Sequence, residues 1–136
     1  MSIIEVIYRL ILGTTLGALI GIERSFFKKQ AGMRTFALVS LGATLFSVSA
    51  IYFPTDAAAR ILANIVLGIG FLGAGLIFLK DEHIYGITTA AALWTTAGIG
   101  MAVGQGFYIE AFLTTILVLI ILALLPFIED KIRKND

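Results

Sequence analysis

The sequence predicts an all-α integral membrane protein with five transmembrane helices, a Gly-rich central third helix, an outside N-terminus and a cytoplasmic C-terminus. Three observations carry that expectation. Of the 136 residues, 59% are hydrophobic and 14% charged, with a mean hydropathy of +0.99, whereas a soluble domain carries about 25% charged residues. Five apolar segments approach the roughly 20 residues that cross a hydrocarbon core: Ile3–Ile22, Phe36–Phe53, Ile61–Leu79, Ile84–Val103 and Tyr108–Ile128. A soluble core accommodates one all-apolar helix. Five in so short a chain would leave no polar faces for water.

The third observation is the placement of charge. Arg24, Lys28, Lys29 and Arg34 lie between the first two segments, Lys80 between the third and fourth, and Lys131, Arg133 and Lys134 after the fifth. The opposite side has Arg60, with Arg9 in the outer half of the first segment. The positive-inside rule then sets the orientation, and the odd number of crossings agrees with it. A four-crossing arrangement would require a re-entrant Gly-rich segment, buried in protein or lining a cavity. The expected division is a single transmembrane domain, 1–129, and a short cytoplasmic tail, 130–136. The N-terminus lacks the basic n-region and Ala-x-Ala site of a cleaved signal peptide, and the absence of cysteine excludes disulfides and thiolate sites.

In the first segment Glu5, Arg9, Gly13, Gly17 and Gly21 recur every fourth residue and make one slowly drifting stripe. The glycines allow close helix packing in lipid. Glu5 and Arg9 stand one turn apart, able to pair, either at the outer interface or facing a cavity. The loop that follows is basic. Its lysines suit anionic headgroups, and Glu23, Arg24 and Arg34 are placed to form a network at the helix mouth. In the third segment Asn64, Gly68 and Gly75 share one face while Gly70 and Gly73 lie opposite. Small residues on both faces predict a helix wedged between two neighbours. Asn64, costly to leave unpaired in lipid, is read as interhelical glue or as a ligand or ion contact.

The fourth segment gathers Thr88, Thr89, Thr95 and Thr96 on one face, a hydroxyl seam against another helix or the lining of a cleft. Trp94 is read as packing. The fifth is bulky, expected to be the most lipid-exposed, with Pro126 placed to kink or end it. His83 beside Asp81 and Glu82 is read as a solvated turn rather than a metal site.

The run Gly68-Ile-Gly-Phe-Leu-Gly-Ala-Gly75 also invites a phosphate-loop reading, but a Walker A motif needs Gly-Lys followed by Ser or Thr, and a dinucleotide fingerprint needs a strand–turn–helix setting. Neither is present. Without a cysteine, a His/Asp/Glu cluster or a Ser–His pairing, no catalytic, cofactor or metal site is predicted, and an enzyme is the weakest class. No nucleic-acid partner is expected. The lipid bilayer is, with a homo-oligomer such as a dimer.

Five ordered stretches, Gly21-Ile-Glu23-Arg24, Ala31-Gly-Met-Arg34-Thr, Leu41-Gly-Ala, Arg60 through Asn64 to Gly75, and Gly86-Ile-Thr88-Thr89 through Trp94 to Gly100, resemble the membrane domain of the MgtC/SapB family. The resemblance implies a multi-pass protein of the bacterial inner membrane, linked to growth under magnesium limitation. It also implies action on a membrane partner such as the proton-translocating ATP synthase rather than carriage of magnesium. By resemblance Glu23, Arg24, Arg34, Arg60 and Asn64 occupy motif positions, Asn64 where Gln is frequent. Many members continue into a soluble C-terminal domain, whereas this chain stops shortly after its fifth segment, so roles resting on that domain are not expected here.

Two functions follow. One is a regulatory or interaction protein that docks a partner or a second copy through Gly-rich faces: Gly13, Gly17 and Gly21 on the first helix, and Gly68, Gly70, Gly73 and Gly75 on the third. The other is a transporter or channel component for Mg2+ or another small solute, with Asn64, the threonines, Glu5, Arg9 and Glu110 along a route. Ionisable groups near the segment ends favour the first.

Overall fold

A computed structural model describes residues 1–133; Lys134 and the rest of the expected tail beyond it lie outside the described residues. Five helices, α1 (Ile3–Phe26), α2 (Met33–Ala50), α3 (Thr55–Ala74), α4 (Ile87–Gln105) and α5 (Tyr108–Arg133), are long and apolar enough to cross a membrane. Between α3 and α4 lies a short antiparallel hairpin, β1 (Phe78–Lys80) and β2 (His83–Tyr85).

Local chemistry accounts for the boundaries. Ser2 caps α1, its Oγ accepting from the Glu5 amide at 3.2 Å, and Ser-x-x-Glu is the capping-box spacing. Gly32 gives α2 no side-chain cap. Ser25 supplies one from α1 instead, its Oγ accepting from the Met33 amide at 2.8 Å. Pro54 precedes the first turn of α3, where Asp56 complements the helix dipole. That entry moves α3 earlier than the predicted Ile61–Leu79 segment and draws Arg60 into the helix. The freed residues Phe78 and Leu79 pair with Tyr85 and Ile84. Asp81 and Glu82 take left-handed φ values of 50° and 64°, as a two-residue hairpin turn requires. The sequence reading saw the turn but not the strands. At the other end α5 runs through residue 129 to Arg133, so the expected tail begins as helix.

The bundle is built around α1, α2 and α4. Gly17 of α1 sits against α2 so closely that a methyl group there would lie 2.5 Å from Ser40 Cβ and 2.6 Å from the Phe36 carbonyl oxygen. Gly21 meets the Met33 backbone in the same way, and Gly13 meets Thr44. The same stretch of α2 also receives α4, where Gly104 abuts Ser47 and Gly100 abuts the Ser40 carbonyl. Small residues thus bring three backbones together, the main source of helix association where lipid is as apolar as the side chains. Leu16, Ile20, Phe36, Leu93, Ile99 and Val103 fill the remaining core.

The third helix is not the central one. Its buried residues are Ile65 and Gly73, and a side chain added at Gly68 or Gly70 would meet nothing within 4 Å. Gly73 makes an ordinary contact with Ala90, and Gly75 approaches its own helix. Glycines on two faces predict two neighbours, yet a glycine facing open space leaves the same pattern. The centre belongs to α4, which buries ten of its residues. Nor is α5 the most exposed helix, since it buries Ala111, Thr115, Val118 and Leu122 against the bundle.

Candidate functional site

At the basic end of the bundle, the last turn of α1 and the loop after it, β2 with the first turn of α4, and the C-terminal half of α5 border a cavity of about 580 Å³. Gly86 opens α4 with a φ of +88°, a conformation natural only to glycine, while the Leu76 carbonyl occupies the space of any side chain there. The helix therefore begins without a side-chain cap. Its first residues, Ile87, Thr88 and Thr89, line the cavity. Thr89 is buried and donates from Oγ1 to Gln30 Oε1 at 3.2 Å.

Arg24 enters the same cavity from α1 and is 3% exposed. A buried guanidinium requires a partner, and half-buried Glu23 supplies it, accepting from Nη2 at 2.6 Å and from Nε. Lys29 borders the opening, Ile121, Leu122 and Leu125 of α5 form an apolar wall, and Glu129 stands one turn beyond. Pro126 lies inside α5 and removes the hydrogen bond to the Leu122 carbonyl.

At the opposite end Arg9 is 9% exposed. Its Nη1 donates to the Gly104 carbonyl of α4 and its Nη2 to Glu5 Oε1, both at 2.6 Å. The guanidinium also lies 5.8 Å from the Tyr108 ring centroid. The last carbonyls of a helix lack intrahelical donors and carry partial negative charge, so Arg9 caps α4 from another helix. Its guanidinium is turned into the bundle rather than out to water.

The third feature is a cleft of about 580 Å³ between α2 and α3. Leu38, Phe46, Ile61 and Leu72 wall it, with Gly42 and Gly68 facing open space along it. Asn64 is its polar residue, exposed, with no side-chain hydrogen bond among the described residues.

Of the residues singled out from sequence, Glu23, Arg24, Thr88 and Thr89 come together around the basic-end cavity. Arg34 is exposed and outside the Glu23–Arg24 pair, so the three-membered network reduces to two. Arg60 is exposed on α3, and Thr95 donates to the Ala91 carbonyl of its own helix at 2.9 Å. Lys29, Gln30 and Glu129 were not recognised as cavity residues. Nor was the hydroxyl row of α2. There Thr44 donates to the Gly100 carbonyl at 3.0 Å and Ser47 to the Met101 carbonyl at 2.9 Å, closing a seam against α4. Ser40, Thr44 and Ser47 stand at helical spacing, a signal present in the sequence. Among the described residues no group of three His, Cys, Asp or Glu side chains is placed to hold a metal ion.

Residues 10–131 match the MgtC family. The protein of Salmonella typhimurium strain LT2 named "Protein MgtC" is 44% identical over 119 residues, which cover 88% of this chain and 52% of that protein. The "Putative magnesium transporter YhiD" of Escherichia coli K12 is 39% identical over 127 residues, covering 87% of this chain and 59% of that protein. An uncharacterized protein of Haemophilus influenzae is 33% identical over 139 residues, covering 94% and 58%. The chain thus spans about half the length of the curated relatives it matches. No solved structure is significantly similar to it. The matched region takes in the basic-end cavity and the α2–α3 cleft alike, and the chain belongs to the MgtC family as a multi-pass protein of the inner membrane.

Proposed function

We propose that this chain is a regulatory or interaction protein of the inner membrane, connected with magnesium limitation or membrane energetics, with its basic end in the cytoplasm. The observation that carries the reading is the α2–α3 cleft. The buried hydroxyls of Thr44, Ser47, Thr96 and Thr115 are spent on backbone carbonyls, whereas Asn64, Gly42 and Gly68 remain open to a neighbour. The occupant is a second copy of this chain. An amide is both donor and acceptor, so Asn64 is complementary to itself across a two-fold axis, and an interhelical amide pair is favourable in lipid. In that reading Gly68→Leu fills the cleft and lowers the oligomeric size in detergent and in lipid. An unchanged size, or a heterologous membrane protein such as ATP synthase held at this face instead, would count against the dimer.

Transport is the second reading, favoured by the name given to the Escherichia coli relative, and the basic-end cavity speaks against it. Arg24 and Lys29 at that cavity oppose entry of a divalent cation. Purified protein in liposomes loaded with a magnesium-sensitive dye should therefore give no flux above protein-free liposomes under either membrane polarity. Flux above that background would replace the regulatory reading with a carrier.

A further inference from the structure

The basic-end cavity has donors that packing does not use. Arg24 gives Nε and Nη2 to Glu23, while Nη1 makes no hydrogen bond among the described residues. The first backbone hydrogen bond recorded at the start of α4 runs from Ala90 to Gly86, and no side chain caps the amides before it. Uncapped helix amides, a buried guanidinium and an exposed lysine around one cavity make a setting for an anion. Its opposite wall is apolar, formed by Ile121, Leu122 and Leu125. We propose that the cavity binds an anionic phospholipid, its phosphate held between Arg24, Lys29 and the start of α4, and an acyl chain laid along α5.

Charge narrows the ligand. Arg24 and Lys29 against Glu129 leave one formal positive charge on the cavity lining, and Glu23, paired with Arg24 behind it, brings the sum of the four groups to zero. That suits a singly charged phosphodiester, as in a phospholipid, better than the dianion of inorganic phosphate or of a phosphate monoester. The apolar wall likewise has no use in binding a free phosphate. Basic pockets between helices at a membrane interface are a known setting for lipid headgroups. The inference goes beyond the regulatory reading, since it holds whether the protein docks a partner or carries a solute.

The full chain purified in detergent and examined by native mass spectrometry tests it, with phosphatidylglycerol and phosphatidylcholine of identical acyl chains as probes. Phosphatidylglycerol should be retained about tenfold more than phosphatidylcholine, whose phosphate is the same but whose choline cation is repelled by Arg24 and Lys29. Lys29→Gln should remove most of that preference and Lys29→Arg should keep it. Lys28→Gln, which loses the same charge one residue from the cavity, should leave it intact. Lys29 is exposed and its replacement spares the fold, unlike Arg24, whose loss strands Glu23. Equal retention of the two lipids, or equal effects of Lys28→Gln and Lys29→Gln, would overturn the site. Displacement of the lipid by millimolar inorganic phosphate would assign the pocket to a soluble phosphate compound and overturn the lipid.

Discussion

Arg9 shows what a single charge can do inside a bundle of this kind. Its guanidinium satisfies the Gly104 carbonyl, takes Glu5 as counter-ion and lies beside the Tyr108 ring, so one side chain ties α1 to the junction of α4 and α5. Removing it leaves a helix end without a donor. Arg9→Gln is expected to lower stability by about 2 kcal/mol, the scale of a hydrogen bond to a charged group, read as an earlier midpoint in denaturant titrations in mixed micelles. A midpoint within error of the parent would mean that water already serves that carbonyl. The pairing of Glu5 with Arg9 was legible, because it is local and follows helical spacing. Gly104 was not, since nothing in a sequence announces a partner 95 residues away. The same limit separated Thr89 from Gln30, 59 residues apart.

Helices were legible as objects and less so as neighbours. Length and hydropathy found all five, and glycine spacing marked the face by which α1 meets α2. The rest depended on which faces had company. Gly17 and Gly68 look alike in the sequence, but one is pressed against α2 and the other faces open space. Gly17→Ala should therefore destabilise the bundle by about 1–3 kcal/mol through overpacking against backbone. Gly68→Ala should stabilise a monomer slightly, by up to about 1 kcal/mol, through helix propensity. Parallel denaturation of the two variants in detergent distinguishes them, and a similar loss in both would show that α3 is packed there. The hairpin was missed for a different reason. Two strands of three residues each cannot be told by periodicity from the apolar ends of transmembrane helices, and the turn lacks the glycine that usually marks one.

Across the whole molecule, burial is uneven. The α1–α2–α4 unit is held by close backbone approach, hydroxyl–carbonyl bonds and the Arg9 cap, while α3 rests on the edge through Ile65, Gly73 and their neighbours. Local stability follows such differences. In micelles that keep the chain monomeric, amides of α3 should exchange with deuterium faster than those of α4, as followed by mass spectrometry. Equal protection would point to contacts on α3 that one chain does not supply. The bond from Arg9 to Gly104 also bears on how the protein is made. A ribosome completes α1 long before the last turn of α4 exists. Until then the charge of Arg9 has Glu5 beside it and no helix end to cap. The contact that ties the first helix to the fourth can therefore close only once the fourth has been synthesised to its end, and a chain cut before Gly104 leaves Arg9 with Glu5 alone. Biogenesis here has a late latch, and the earliest helix carries half of it.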